Sequence, residues 1–389
     1  MKIILAPQAF KGSISALDTA KAFRDGVLRV VPEADTSLVP VADGGDGTLE
    51  TLVDGSGGEI HECTVVGPLG ANQVSQWGSM GDGETAVIEM ARTSGLALIP
   101  VEKRNPLIST TFGLGQVLKS ALDKGHRKFI IGIGGSATND GGAGMAQALG
   151  VKLLDNHDQP LPFGGAALGH LAKIDMSGID NRLSDAEILV ACDVNNPLTG
   201  PEGASAIYGP QKGASKDMIS ELDASLKNFS VIVETDLGKQ IDNIPGSGAA
   251  GGLGGGIMAF LNGILKPGVD IVLDTVGLRS KLKNADLVIT GEGCLDYQTI
   301  YNKAPIGVAR MAKEMNIPTI AVCGMLGNDF STVHNHGIEA ACSITNGPLS
   351  LEQSSAMSYE LAADAVEQNI RLILLGAQIG ENKSLTRDD

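Results

Sequence analysis

Residues 129–150 read FIIGIGGSATNDGGAGMAQALG. A short β-branched run breaks into glycine, serine, threonine, asparagine and aspartate, and an alanine-rich tail follows. The run is too short for a helix and suits a buried strand, while the tail suits a helix. The same order of apolar run and polar or glycine-rich exit recurs at KIILAP, AEILVACDVNNP and ADLVIT. Parallel neighbours need crossovers of a dozen or more residues, usually helical, so strands spaced this way predict an α/β chain.

Ser15 is a candidate helix N-cap, with Asp18 three residues on. Ala16, Ala20, Phe23, Val27 and Val31 then form an apolar stripe that stops at Pro32. TSLVPVADGG supplies the next strand, completing a βαβ unit. From Gly58 the texture changes. HECTVVGPLG, QVSQWGSMGD and ETAVIEMA are extended runs separated by Gly-Pro and Asp-Gly turns, a pattern of antiparallel strands. A helix, GLGQVLKSALDKG, leads back into KFIIGIGG. From about Asn284 the parallel texture returns with ADLVIT, PTIAVCG and AACSIT, the helix IGVARMAKEM and a last helix over 359–375. These features predict a discontinuous, doubly wound Rossmann-like domain, 1–58 and 284–389. A second mixed α/β domain, 59–283, is inserted into it. ENKSLTRDD at the end is the one biased segment.

Composition narrows the function. The 389 residues are 43% hydrophobic but only 3% aromatic, with 52 glycines. Such a chain packs with aliphatic residues and spends glycine on loops. The formal net charge of -16 repels phosphate backbones and argues against nucleic-acid partners. Five cysteines without a Cys-x-x-Cys pair read as reduced thiols. No apolar run approaches the roughly 18 residues of a membrane span. A soluble, cytoplasmic monomer or homodimer is expected, with small-molecule ligands.

Glycine-rich turns after strands let bare N–H groups converge on an anion. Gly134, Gly135, Ser136, Thr138, Asn139, Gly141 and Gly142 are therefore candidate phosphate ligands, and so are Gly251 and Gly252 in GSGAAGGLGGG, 246–256. Tight turns and close helix packing are the competing uses of the same glycines. Gly132, Gly134 and Ala137 also fit G-x-G-x-x-G/A, with Asp155 downstream as a ribose-binding acid. A dinucleotide site needs its helix to begin within that motif, and Asn139-Asp140-Gly141-Gly142 oppose this. ADGGDGT, 42–48, ends a parallel strand; Asp43 and Asp46 there suit Mg²⁺, or a turn with Asp46 capping the next helix. Asp193, Lys212, Lys11, Glu292, Asp296 and Lys303 all fall on loops after strands. Acids and lysines so placed suit phosphoryl transfer, which needs cations for phosphates and carboxylates for metal and acceptor. No P-loop, protein-kinase set, H-E-x-x-H or G-x-S-x-G string is present, and HNH at 334–336 lacks an obvious third ligand.

FKGSISA, ADGGDGT, IEMARTSGL, RNPLISTTFGLG, GIGGSATNDGGAGM, ACDVNNPLTG, GPQKGAS, GAAGGLGGG and GEGCLDYQT, in that order along nearly the whole chain, resemble the glycerate kinase type I family, the glycerate 2-kinases. The resemblance implies Mg²⁺-dependent transfer of the γ-phosphoryl group of ATP to D-glycerate, giving 2-phosphoglycerate. It implies two α/β domains with the active site in the cleft between them. Lys11, Asp43, Asp46, Asp193, Lys212, Glu292 and Asp296 fall at the family's functional positions. On this reading Asp193 or Asp296 accepts the hydroxyl proton, with Lys11 and Lys212 as further catalytic groups. Arg92, Arg104 and Lys11 are candidates for the glycerate carboxylate, next to Asp43, Gly44 and Gly45. Glu292 and the loops at 134–142 and 248–256 serve the nucleotide. The chain has Gln8 and Ala9 where the family has Asp and Ser, Cys294 where it has Arg, Asn302 where it has Gly, and Tyr297 in place of a small residue. These departures motivate an alternative, a catalytically weakened ligand-binding or regulatory member.

Overall fold

The structure, a computed structural model, describes residues 1–385. The final four residues of ENKSLTRDD lie outside them. Two compact units are formed: Met1–Asp43 together with the chain from Val272 onward, and Gly44–Ile271.

The first unit opens with β1 (Lys2–Pro7), buried along almost its whole length. The Ser15 hydroxyl accepts the Asp18 amide at 3.1 Å and starts α1 (Ala16–Leu28). The helix ends three residues short of Val31, whose side chain still packs on the core. β2 (Asp35–Leu38) lies parallel to β1.

The second unit begins with α2 (Thr48–Ser56), then β3 (Glu59–Val66), β4 (Asn72–Ser79) and β5 (Thr85–Glu89). After α3 (Ala91–Ser94) and α4 (Phe112–Asp123) comes β6 (Lys128–Gly132), then α5 (Ala143–Ala148). A small antiparallel pair, β7 (Lys152–Leu154) and β8 (Lys173–Asp175), precedes β9 (Glu187–Ala191). The unit continues through α6 (Ala204–Tyr208), α7 (Lys216–Leu237), α8 (Ala249–Leu261), β10 (Ile264–Lys266) and the start of α9 (Gly268–Thr275). Its sheet runs β10-β9-β6-β5-β4-β3. β10, β9, β6 and β5 are parallel; β4 and β3 are added antiparallel. The expected antiparallel texture after Gly58 is thus an extension of a parallel sheet. α2 packs on β3, β4 and β5, which draws the chain from Gly44 into this unit. The break therefore falls earlier than the expected 58/59.

The chain then returns through α10 (Leu278–Lys281), β11 (Leu287–Gly291), β12 (Cys294–Leu295), α11 (Ala304–Glu314), β13 (Thr319–Cys323), β14 (Met325–Leu326), β15 (Ala340–Ser343), α12 (Leu351–Ala356) and α13 (Ser358–Leu385). α10 packs on α11, so this return begins before the expected 283/284. The last helix is longer than the predicted 359–375. The main sheet is wholly parallel, in the order β15-β13-β11-β1-β2. Alternate residues face opposite layers. Ile3, Leu5, Ile289 and Val322 meet Phe23, Leu361 and Val366 from α1 and α13. Ala321 and Cys323 meet Ile306 and Ala309 from α11. Burying each large aliphatic or aromatic side chain here contributes about 1.5–3 kcal/mol. α1 and α13 approach so closely that a Cβ on Gly26 would lie 2.3 Å from the Ala363 carbonyl oxygen.

Candidate active site

β6 ends at Gly132 and the chain turns through residues 133–142 before α5 begins at Ala143. Helix therefore starts after the G-x-G-x-x-G/A string, as the helix-breaking residues required, and no dinucleotide site forms. Asp155 instead accepts the His157 and Gln159 amides in a local turn.

The loop has two faces. On one, Gly134 and Gly135 are exposed. The Leu96 amide bonds the Gly135 carbonyl and the Ala137 amide bonds the Ser94 carbonyl, stapling the loop to residues 94–96. Among the described residues, the amides of Gly134, Gly135 and Ser136 donate to no protein acceptor. They line a hollow of about 370 Å³ together with Gly44, Gly45, Asp193 and Tyr208. Asp193 follows β9; its Oδ1 accepts the Gly268 amide at 3.0 Å. The Tyr208 hydroxyl is turned to Asn196 Oδ1 at 2.6 Å. Leu96, Ile133 and Val194 supply apolar wall. Asp46 belongs to the same unit; its Oδ1 lies 3.9 Å from the place a Cβ on Gly135 would take.

The other face is turned into the protein. Thr138, Asn139 and Asp140 are fully buried. Asp140 Oδ2 accepts the Thr111 amide and hydroxyl and the Gly144 amide, while Oδ1 accepts the Gly142 amide. This carboxylate joins the starts of α4 and α5. Burial pushes its pKa up, and those donors oppose the shift. Lys212 is 1% exposed, and its Nζ donates to the Thr138 carbonyl at 2.7 Å. Burial lowers its pKa to about 7, with the Asp140 carboxylate pulling the other way.

Six of the expected ligands lie away from this hollow. Gly251 and Gly252 sit where α8 departs into left-handed backbone, with φ of 71° and 88°. The Gly251 carbonyl accepts the Gly141 amide, and a Cβ on Gly251 would stand 1.9 Å from the Thr138 oxygen. A Cβ on Gly252 would meet the Gly141 Cα at 3.0 Å. Gly141 and Gly142 abut Phe229 and Leu253. These four glycines, with Thr138 and Asn139, let one loop lie on another and do not line the hollow. Asn139 donates to the Ser205 hydroxyl, while its Oδ1 and the Thr138 hydroxyl are buried without partners.

Three of the expected cations also lie away from the hollow. Lys212 supports the loop from beneath. Arg92 is held by three neighbours, with Nε to Glu89, Nη2 to Glu50 and Nη1 to Gln76, and it does not line the hollow. Glu89 Oε1 also accepts the Gly47 and Leu49 amides, and this acid rather than Asp46 caps α2. Arg104 Nη1 reaches the Gln211 carbonyl at 3.3 Å and its Nε is buried without a partner; it does not line the hollow.

The first unit carries a second constellation, where β1, β11, β13 and β15 end. Glu292 is buried; Thr299 Oγ1 donates to its Oε1 at 2.6 Å, and Lys303 Nζ lies 3.8 Å from Oε2. Burial raises its pKa to about 7, with Asp43 and Asp296 adding to the rise and Lys303 opposing it. Asp296 caps a short turn by accepting the Gln298 amide. Phe10, Lys11, Cys294, Met325, Ile344 and Leu349 line a hollow of about 480 Å³. The Gln8 backbone N–H donates to the Gly291 carbonyl, and its side-chain Oε1 is buried without a partner among the described residues. Asn302 has φ of 58°, the left-handed backbone that glycine adopts freely and asparagine tolerates. The substitution of the family's glycine there keeps the turn. Nothing in the structure explains Ala9, and Tyr297 is exposed. His334 Nδ1 lies 2.9 Å from the Ile338 carbonyl oxygen, and the described residues include no cluster placed to cage a metal.

Glu89, Asp140, Tyr208 and Thr299 were not singled out from sequence. Glu89 and Asp140 had a readable signal, an acid directly at the end of an apolar strand or at a helix start. Tyr208 and Thr299 had none.

The likenesses to known proteins run along the same residues. The model of the glycerate kinase family matches residues 3–374. The chain is 50% identical over 385 residues to a glycerate kinase of Bacillus subtilis, covering 99% of this chain and all of that one. It is 48% identical to the glycerate 2-kinase of Escherichia coli, covering 92% and 94%. A crystal structure assigned to glycerate kinase 2 from Salmonella typhimurium superposes with a TM-score of 0.91 at 44% identity, covering 97% and 99%. With both its sequence and its fold shared end to end, the chain belongs to the glycerate kinase family.

Proposed function

We propose that this protein transfers the γ-phosphoryl group of ATP to the 2-hydroxyl of D-glycerate, giving 2-phosphoglycerate. One observation carries the reading: in a chain of this family, three consecutive unclaimed amides and the Asp193 carboxylate share one hollow. Open amides suit an anionic oxygen, and a carboxylate suits a hydroxyl that must lose its proton. Asp193 orients that hydroxyl and accepts its proton as the oxygen attacks phosphorus. Gly44 and Gly45 bring bare backbone to the same hollow. Phosphoryl transfer is governed by positioning and charge, so an ordinary carboxylate suffices.

The residues of the first unit fit Mg²⁺. Burial is the main cause that disfavours ionisation of Glu292, the Asp43 and Asp296 carboxylates add to it, and a divalent cation would relieve that added repulsion. Mg²⁺ takes one or two carboxylates and completes its shell with phosphate oxygens and water, so no protein cage is needed. Asp43 and Asp296 would hold it, and it would supply neutralisation of phosphate charge. Lys11 and Lys303 are the cations of this unit nearest that role.

The test is ADP release with D-glycerate as the varied substrate, with and without Mg²⁺, and phosphorus NMR of the product. No ADP above the glycerate-free rate refutes the reading. The weakened-member alternative has its own observation, the partnerless Gln8 Oε1. Under it, Gln8→Asp with Cys294→Arg raises turnover at least tenfold; under the full-kinase reading the pair leaves turnover unchanged or lower.

A further inference from the structure

The two units offer two hollows of unlike chemistry. That of the second unit is lined by Gly134, Gly135, Ser136 and Asp193 and by no lysine or arginine. The helix after its loop begins only at Ala143, so the N-terminus of α5 adds no positive charge at these amides. Among the described lining residues, a triphosphate placed there would meet a carboxylate and no lysine or arginine. A small hydroxy acid would meet amides for its carboxylate and Asp193 for its hydroxyl.

The hollow of the first unit has the opposite character. It lies along the C-terminal ends of β1, β11, β13 and β15. From β1 the chain moves outward to β2, then returns to β11 on the other side of β1 and continues to β13 and β15. The strand order reverses between β1 and β11, and ligands of open parallel sheets bind in the crevice at such a reversal. Phe10 and Lys11 follow β1, and Gly293 and Cys294 follow β11, so the crevice mouth is the hollow itself. Its walls are apolar, from Phe10, Met325, Ile344 and Leu349, while Lys11 supplies a cation on the same lining. Its volume of about 480 Å³ lies within the range of small-molecule sites. Apolar walls beside one cation suit a base and ribose whose phosphates leave toward the lysine.

We infer that the adenosine end of the nucleotide occupies the crevice of the first unit, and that the hydroxy acid alone occupies the hollow of the second. This division rests on the kinase reading above. It assigns the exposed glycine loop to the acceptor and not to ATP.

The chain carries a reporter in each hollow. Cys294 lines the first and Cys192 the second, and both are free thiols. The full-length protein is alkylated with iodoacetamide at mildly alkaline pH, alone, with ADP or with D-glycerate, and each cysteine is followed by peptide mass spectrometry. ADP is expected to slow Cys294 at least fivefold and leave Cys192 within twofold; D-glycerate is expected to do the reverse. As a second measurement, Met325→Trp, at an exposed position on the crevice wall, raises KM for ATP at least fivefold with KM for glycerate within twofold. ADP shielding Cys192 in place of Cys294, or neither thiol, overturns the inference. So does Met325→Trp acting on glycerate alone. ADP release by the unmodified enzyme is scored separately, so a misplaced nucleotide is distinguished from an absent kinase activity.

Discussion

The stretches 132–144 and 246–256 share a composition and do different work. In the first, Gly134 is exposed, and a Cβ there would have no heavy atom within 4 Å. In the second, a Cβ on Gly251 would strike the Thr138 carbonyl oxygen. One glycine is bare toward solvent and ligand, the other toward the protein's own backbone. Glycine content therefore reports close approach without saying what approaches. Even within the first stretch the change occurs over a few residues, since Gly141 already faces Phe229.

This contrast can be broken by substitution. The largest effect is expected from Gly251→Ala, which adds a clash to a left-handed backbone; it should cost on the order of 3 kcal/mol or more in urea unfolding. Gly134→Ala should stay within about 1 kcal/mol of the parent while raising KM for glycerate. Equal losses at both positions would erase the distinction. Next is Asp193→Asn, which keeps an oxygen for the Gly268 amide but loses the base. Turnover should fall about 100-fold, roughly 2.7 kcal/mol, with stability unchanged. Parental turnover would move the chemistry off this face, and Asp296→Asn measured in parallel would show whether it moves there.

Lys212 tests the inner face. Its folded pKa is depressed to about 7, so between that value and the ordinary lysine range the unfolded chain holds a proton the native protein lacks. Stability should therefore rise as pH increases from 7 toward 10. Lys212→Met should flatten that rise and leave a pH-independent loss of about 1–3 kcal/mol from the unpaired Thr138 carbonyl. A wild-type slope retained in the variant would refute a buried amine at this site. The smallest effect is expected from Asn302→Gly. Both residues accept the left-handed backbone, so stability should change by less than about 1 kcal/mol and turnover not at all. A large gain in turnover would mean the asparagine side chain itself obstructs the reaction.

Much of the fold was legible. β1, α1 with its Ser15 cap, the parallel pairing of β1 with β2 and the antiparallel run after Gly58 all follow from patterns spanning a few residues. Of the candidate site, Gly134, Gly135, Ser136, Asp193, Gly44 and Gly45 were named from the sequence, and the structure places them around one hollow. For Arg92 a sequence shows a cation and not the two acids and the amide that hold it in place. The burial of Lys212 was not legible because a lysine is ordinarily solvated, and its Nζ is held by a carbonyl from a remote segment.

By itself the sequence determined the strand and helix periods, the turn residues and the kinds of chemical group at each strand exit. These depend on contacts between neighbours in the chain, where spacing is information enough. Only the tertiary structure decided which amides stay unclaimed, which cations are already spent and which thiol lines which hollow. Each of those outcomes is set by a partner far along the chain, because a buried polar group must be satisfied by whatever the fold brings to it.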